Sequence, residues 1–148
     1  MRSLHLATTD DLPKILPLVA SFHAHQGFDT TADHQHDAIL PLLEGSPHGA
    51  IWLIGPRRAP VGYVVVSFGW SVEFGGLDAI VDELFIRSAV RNRGMGSEAL
   101  DGLAKALKDG GIRALHLEAN KSDETLHKFY SRARFQPRDG HLLMTRVL

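Results

Sequence analysis

Apolar and polar positions change their spacing several times along the chain, and the changes divide it into strand-like and helix-like stretches. Leu4 and Leu6 alternate with polar residues, and Thr8-Thr9-Asp10-Asp11 then supply hydroxyl and carboxylate caps ahead of Pro13 at an early helical position. A short strand feeding a helix is predicted. In that helix Ile15, Leu16, Leu18, Val19 and Phe22 recur at helical spacing, and Gly27 ends it. A second helix is predicted over Asp33 to Leu43, with Ile39, Leu42 and Leu43 apolar and Gly45 behind it. Two strands follow, Ala50 to Ile54 and Val61 to Phe68, separated by the turn-forming Gly55-Pro56 and Pro60 as in a hairpin.

Asp78 to Ile86 is rich in β-branched and aromatic residues and is predicted as a further strand, running through Arg87 to Arg93 into a helix opened by Gly94-Met95-Gly96. Met95, Ala99, Leu103, Ala106 and Leu107 form one stripe of that helix, with Glu98, Asp101, Lys105 and Lys108 outward and Gly110-Gly111 as its stop. Arg113 to Glu118 is predicted as a buried strand, Asp123 to Arg132 as a helix capped by Ser122 or Asp123, and His141 to Val147 as a final strand. The order is that of a mixed α/β fold with one helical crossover between two parallel strands. No repeat, linker or low-complexity segment interrupts it, so residues 1–148 are read as a single domain.

Composition narrows the function classes. A chain of 148 residues, 44% apolar and 22% charged, can bury a core without staples. Cysteine is absent, which excludes disulfides, thiolate metal sites and a cysteine nucleophile together. The net charge is 16 minus 17, or −1, and no basic run exceeds Arg57-Arg58, so no nucleic-acid partner is expected. The N-terminus lacks a signal-peptide core and no apolar stretch approaches the roughly 20 residues of a membrane span, so no membrane partner and a cytoplasmic location are expected. Of the nine histidines, His23 with His25 and His34 with His36 stand two apart and point away from each other on a helix. No metal site is expected from them; they flank Gly27 to Thr31, where acceptor contacts or a solvated surface are the readings.

The segment from Val81 to Ser97 carries the chemistry. A strand ends, a basic loop follows and a helix begins, whose first amides and partial positive charge suit an anion. Gly94 and Gly96 let a backbone approach a pyrophosphate, and Arg91 and Arg93 can add charge-assisted contacts; a tight turn with solvated arginines reads equally well from this motif alone. Gly94-Met-Gly96-Ser-Glu-Ala99, with Glu118 downstream, also fits a dinucleotide-binding pattern. Against it, seven residues separate the strand from the first glycine, and the roughly 50 residues after the glycine motif are too few for a doubly wound sheet. Three carboxylates are candidates for a base. Alternation puts Glu83 on the face of Val81 and Phe85, opposite Asp82, Leu84 and Ile86, where a carboxylate is either paired or kept for chemistry. Glu118 ends the next strand, and Glu73 lies in Ser71 to Gly76, a loop suited to the mouth of an acceptor site.

Arg91, Gly94 and Gly96 match the Arg/Gln-x-x-Gly-x-Gly/Ala signature of the GCN5-related N-acetyltransferases, after the fourth strand and at the start of the third helix. Phe129-Tyr130-Ser131-Arg132-Ala133-Arg134-Phe135 resembles that family's aromatic-Tyr pair before Gly-Phe, and in length and element order the resemblance covers essentially the whole chain. It implies a mixed α+β acyl-CoA N-acyltransferase fold: a mixed, mostly antiparallel central sheet flanked by helices, with one parallel strand pair splayed for CoA. It also implies transfer of the acetyl group of acetyl-CoA to a primary amine by direct attack in a ternary complex, without a metal. Tyr130 takes the family's acid position, with Glu83 first and Glu118 second as the base; Glu118 resembles the acidic position of members that acetylate protein N-termini. The implied cofactor positions are Leu84, Phe85 and Ile86 on the strand, Arg91, Asn92, Arg93, Gly94, Met95, Gly96 and Ser97 in the loop and helix, and Asn120. Two residues depart from the family: Arg134 replaces a glycine, and Asp123 stands where an Asn seven positions before the tyrosine is common, with Asn120 nearby to substitute. Those departures permit a catalytically silent CoA-binding module as the alternative. The acceptor is a small-molecule or peptide amine, and the apolar final strand, with Leu142, Leu143, Met144 and Val147, suggests a homodimer.

Overall fold

The structure is a computed structural model that describes residues 3–91 and 94–148. It divides into two compact units, Met1–Glu118 and Ala119–Leu148.

The first unit is built on a five-stranded sheet in the order β1-β2-β3-β4-β5. β1 (Leu4–Leu6), β2 (Gly49–Ile54), β3 (Gly62–Ser71) and β4 (Gly76–Ile86) pair antiparallel in sequence, and β5 (Ala114–Leu117) joins β4 in parallel. The helix α3 (Met95–Asp109) makes the crossover between β4 and β5 that the sequence predicts. α1 (Leu12–Gln26) and α2 (Ala32–Leu43) precede the hairpins. At the start of α1, Asp11 is buried and takes the backbone N–H of Thr8 at 2.9 Å and the guanidinium of Arg57 at 3.0 Å. At its end Gly27 turns left-handed, φ 76°, and the backbone N–H of Phe28 returns to the carbonyl of His23.

Alternation along β3 separates two cores. Tyr63 and Val65 pack with Ile15, Leu18, Val19 and Ile39 of α1 and α2, while Val64 and Val66 pack with Leu103 and Leu107 of α3. Each such buried aliphatic contributes about 1.5–3 kcal/mol of transfer free energy. Strict alternation fails in β4. Val65 pairs with Glu83 and the next residue, Val66, pairs with Val81, so Asp82 is an extra, bulged residue. The bulge reverses the pleat: Ala79 and Val81 pack toward α3, whereas Phe85 packs toward α1. Glu83 therefore does not share a face with Val81, contrary to the period-two expectation.

β4 and β5 pair from Asp78↔Ala114 to Val81↔Leu117, and past that point β4 continues to Ile86 paired with β3 but not with β5. The parallel pair thus ends one residue before the bulge. β5 is shorter than predicted and only half-buried, because it is the sheet's edge. Among the described residues no helix is long and apolar enough to cross a membrane.

The second unit holds α4 (Glu124–Arg132). Its N-cap is Asp123, whose Oδ1 accepts the backbone N–H of Leu126 at 3.0 Å, which decides between the two predicted caps. The predicted strand from His141 to Val147 does not form: residues 141–148 carry neither helix nor strand, and Leu142 is 82% exposed. A strand needs a hydrogen-bonded neighbour, and unit 119–148 contains no strand.

Candidate active site

Glu83 lies on β4 immediately after the bulge, with its side chain 15% exposed. Both carboxylate oxygens are engaged. The hydroxyl of Tyr63, the residue two before its ladder partner Val65, donates to Oε1 at 2.8 Å. The imidazole Nε2 of His23, on α1, lies 2.7 Å from Oε2. Tyr63 is fully buried, and burial first, then the Glu83 charge and hydrogen bond, hold its phenol far above the usual tyrosine range. It stays a neutral donor. Phe22, Tyr63 and Phe85 surround this group with tilted and edge contacts at 5.7–6.3 Å between ring centroids.

His23 is held from its other side. The left-handed turn at Gly27 folds the chain back, so that Thr30 Oγ1 reaches 2.6 Å from His23 Nδ1 and the Phe28 ring stands edge-on to the imidazole at 5.3 Å. Gln35, buried on α2, donates from Nε2 to Thr30 Oγ1 at 3.0 Å. The result is a continuous chain from Gln35 through Thr30 and His23 to Glu83.

The sequence assigns a catalytic place to neither partner of Glu83, Tyr63 or His23, nor to Thr30 and Gln35 behind His23. The sequence suggests an acceptor contact or a solvated surface for His23, whereas its side chain is 12% exposed. The available signal was its position four residues after the buried Val19, on the inner face of α1. Tyr63 was legible as a neighbour of Val65 on an alternating strand, but its cross-strand partner was not, because the bulge shifts the register.

The predicted cofactor positions divide. Phe85 is buried in the α1 side core, opposite Tyr63 of β3. Leu84 packs toward α3. Arg91 folds back on β4: its Nε donates to the carbonyl of Ile86 at 2.8 Å and its guanidinium lies 5.8 Å from the centre of the Phe85 ring. Asn92 and Arg93 lie outside the described residues. Gly94 adopts φ 79° as the residue before α3, and its carbonyl takes the first helical bond from Glu98. The amides of Met95, Gly96 and Ser97 therefore have no acceptor within the helix, and they form an anion-accepting end.

The other two candidate carboxylates are more exposed than Glu83. Glu118 is exposed just beyond β5, and Glu73 is exposed in the turn between β3 and β4. In the second unit, Tyr130 sits on α4 between Phe129 and Phe135, with ring centroids 5.2 and 5.9 Å away, and burial raises its phenol above the usual range. Arg134, at the family's glycine position, takes φ 70°; its N–H bonds to Ser131 and that of Phe135 to Tyr130, a left-handed helix stop made without glycine. Asn120 uses its side-chain oxygen on Ser122, at 3.0 Å to the amide and 2.8 Å to the hydroxyl, which leaves the amide nitrogen as the end it can present to a ligand. Among the described residues no group of three or more His, Cys, Asp or Glu could hold a metal ion.

A sequence profile described as "Acetyltransferase (GNAT) family" matches residues 15–135. The fold is similar to that of an integron cassette protein from the mobile metagenome of Cole Harbour Salt Marsh, 34% identical, with a TM-score of 0.86 over 99% of this chain and 90% of that one. It is also similar to a ribosomal-protein-alanine N-acetyltransferase from Brucella melitensis biovar Abortus 2308, at 19% identity, TM-score 0.78, and coverage of 99% and 100%. An aminoglycoside acetyltransferase from an uncultured soil metagenomic sample, solved with sisomicin, matches at 15% identity and TM-score 0.78, over 98% of this chain and 95% of that one. The sequence matches no curated protein.

Proposed function

The chain belongs to the GNAT acetyltransferase family, and from that premise we propose that it moves the acetyl group of acetyl-CoA onto a primary amine by direct attack. The observation that carries the proposal is Glu83: a half-buried carboxylate with both oxygens hydrogen-bonded, on the stretch of β4 that has just left β5. A strand parted from its neighbour offers unpaired backbone groups beside a carboxylate, which suits a thioester and an amine meeting there. The residues present also fit the co-substrate. The α3 amides at Met95, Gly96 and Ser97 suit its pyrophosphate, beside the left-handed Gly94 that aims them. Arg91 and the backbone of Leu84, Phe85 and Ile86 complete the proposed contacts, with Arg93, Asn92 and Asn120 as further candidates.

An alkylamine titrates near 10 and arrives protonated at neutral pH. Glu83 takes one N–H proton, directly or through a water, and the freed nitrogen attacks the thioester carbonyl. The C–N bond forms, the C–S bond breaks, and Tyr130 gives its hydroxyl proton to the departing sulfur. Thiol and N-acetyl amine leave, the amine nitrogen's second proton returns through solvent to Tyr130, and Glu83 releases its proton to solvent. Glu118 remains the second choice for the base; its exposure favours Glu83.

Residues 1–148 act in this proposal as one acetyltransferase domain, a reading supported by the family match across both units. A homodimer is part of the proposal, supported by the exposed apolar Leu142, Leu143, Met144 and Val147. Two of the similar structures are named for aminoglycoside and ribosomal-protein acetylation, and both acceptor classes belong in the test.

Thermal shift with acetyl-CoA, CoA and NAD comes first, because a ligand that binds only the folded state stabilises it by about 2.7 kcal/mol at a hundredfold excess over Kd. Stabilisation by acetyl-CoA and not by NAD is expected. Thiol release across polyamine, aminoglycoside and peptide acceptors then tests turnover. Binding without thiol release from any acceptor would leave a CoA-binding module in place of an enzyme.

A further inference from the structure

The sequence resemblance assigns no role to His23, Thr30 or Gln35, yet their hydrogen bonds run in one direction. Gln35 is 7% exposed, and its Nε2 lies 3.0 Å from Thr30 Oγ1 and 3.5 Å from the Thr30 carbonyl oxygen. A carbonyl only accepts, so the nitrogen end of the amide faces Thr30, and an amide nitrogen only donates. Thr30 Oγ1 therefore accepts from Gln35 and keeps its own proton for the next partner, His23 Nδ1 at 2.6 Å. A neutral imidazole that accepts at Nδ1 carries its proton on Nε2. That proton points at Glu83 Oε2, 2.7 Å away.

The opposite tautomer meets a physical objection at each end. It would set the Nε2 lone pair against a carboxylate oxygen at 2.7 Å with no proton between them. It would also make Thr30 Oγ1 accept twice and leave its own proton without either partner. The half-buried hydroxyl and the buried amide thus choose the tautomer, and the tautomer chooses what faces the carboxylate.

We propose that His23 is a positioning residue for Glu83, kept in its Nε2-protonated form by the Gln35–Thr30 chain so that the imidazole always presents a donor to Oε2. The inference rests on the reading of Glu83 as the base. With Tyr63 donating to Oε1 from β3 and His23 to Oε2 from α1, the carboxylate plane is pinned from two elements. Its unused lone pairs then have one fixed direction in which to take a proton. Loss of the Thr30 hydroxyl frees the ring to exchange tautomers, and a fraction of molecules then turns a lone pair toward the carboxylate. Hydrogen-bond partners that orient a metal ligand are worth about 10- to 100-fold in activity, and the same scale is expected of one that orients a base.

The test reads the tautomer directly. Long-range proton–nitrogen spectra of the imidazoles, at mildly alkaline pH, distinguish Nδ1–H from Nε2–H; the His23 signals are those lost in His23→Gln. The expected result is a single Nε2–H tautomer in the native chain, a mixture in Thr30→Val, and its restoration in Thr30→Ser. An Nδ1–H tautomer in the native chain overturns the proposal. Gln35→Leu removes the same constraint from the other end, should Thr30→Val fail to fold. Turnover supplies the second reading: Thr30→Val should lower kcat about 10-fold or more with acetyl-CoA affinity unchanged, and Thr30→Ser should recover it. Full kcat in a Thr30→Val protein with mixed tautomers also overturns it. A chain inactive toward every amine would instead count against the acetyltransferase reading, since the tautomer measurement needs no turnover.

Discussion

Oε2 of Glu83 and Nε2 of His23, 60 residues apart in sequence, meet at 2.7 Å and join β4 to α1. With Tyr63 on the other oxygen, the carboxylate has one donor on each side, and this arrangement makes an isosteric amide a clean probe. In Glu83→Gln the amide oxygen can keep the His23 bond, and the amide nitrogen can donate to the Tyr63 oxygen. The fold should survive, and acetyl-CoA affinity with it. Turnover should fall about 100-fold at neutral pH, with a smaller deficit at higher pH where free amine is abundant. Initial rates across pH check this; a pH profile identical to that of the native enzyme would move the base to Glu118 or to water.

Tyr63 couples the same site to stability. Its folded phenol titrates well above the unfolded value near 10, chiefly because it is buried and then because of Glu83. A raised value means a contribution fully present below about pH 10 and lost as pH climbs above it, by about 1.4 kcal/mol per pH unit for one group. Tyr63→Phe removes a hydrogen bond to a carboxylate and should cost about 1.5–3 kcal/mol near neutrality. Above pH 10 that deficit should narrow, since the variant loses this alkaline penalty. Urea denaturation of both proteins at neutral and alkaline pH measures the difference, and a deficit that stays constant across that range contradicts the assignment.

The fold was legible where local chemistry alone sets the structure. Gly27 and Gly94 at helix ends, the β4–loop–α3 segment and the crossover to β5 all follow from the order of residues. Two features did not follow. The extra residue at Asp82 depends on which residues of β3 and β4 face each other, and no alternation within β4 reveals it. The strand predicted over His141 to Val147 had apolar residues but no partner, and pairing is what makes a strand. The site divides the same way. Glu83 was visible as a carboxylate on an apolar strand, whereas His23, Thr30 and Gln35 come from a helix, a turn and a second helix. Their convergence is set by the left-handed turn at Gly27 and the packing of α1 on β3.

Arg134 sits at the one described non-glycine position with positive φ, 70°, and closes α4 through the bonds of its own N–H to Ser131 and of Phe135 to Tyr130. An L-residue there carries roughly 1–2 kcal/mol of steric strain, part of which a glycine would return as greater freedom of the unfolded chain. Arg134→Gly should therefore stabilise the protein by about 0.5–1 kcal/mol, a rise in Tm of roughly 1–4 °C for a chain of this size. Differential scanning calorimetry decides it. A lower Tm would mean that the arginine side chain makes contacts worth more than the strain.

Tyr130 offers the sharpest test of the acid. Its ring packs edge-on to Phe129 and Phe135, at 5.2 and 5.9 Å, so Tyr130→Phe keeps the packing and deletes only the hydroxyl. Burial raises that phenol above its usual value near 10, and the group therefore keeps its proton throughout the neutral range, as an acid must. The alkaline limb of kcat in the native enzyme should accordingly lie above the ordinary tyrosine range and be absent from the variant. With acetyl-CoA affinity retained, the loss should fall on kcat and amount to about 100-fold or more, the scale of a positioned acid–base group. Single-turnover kinetics isolate the chemical step from product release. If acetyl transfer in Tyr130→Phe runs at close to the native rate under those conditions, the departing thiolate is protonated by another group or by solvent.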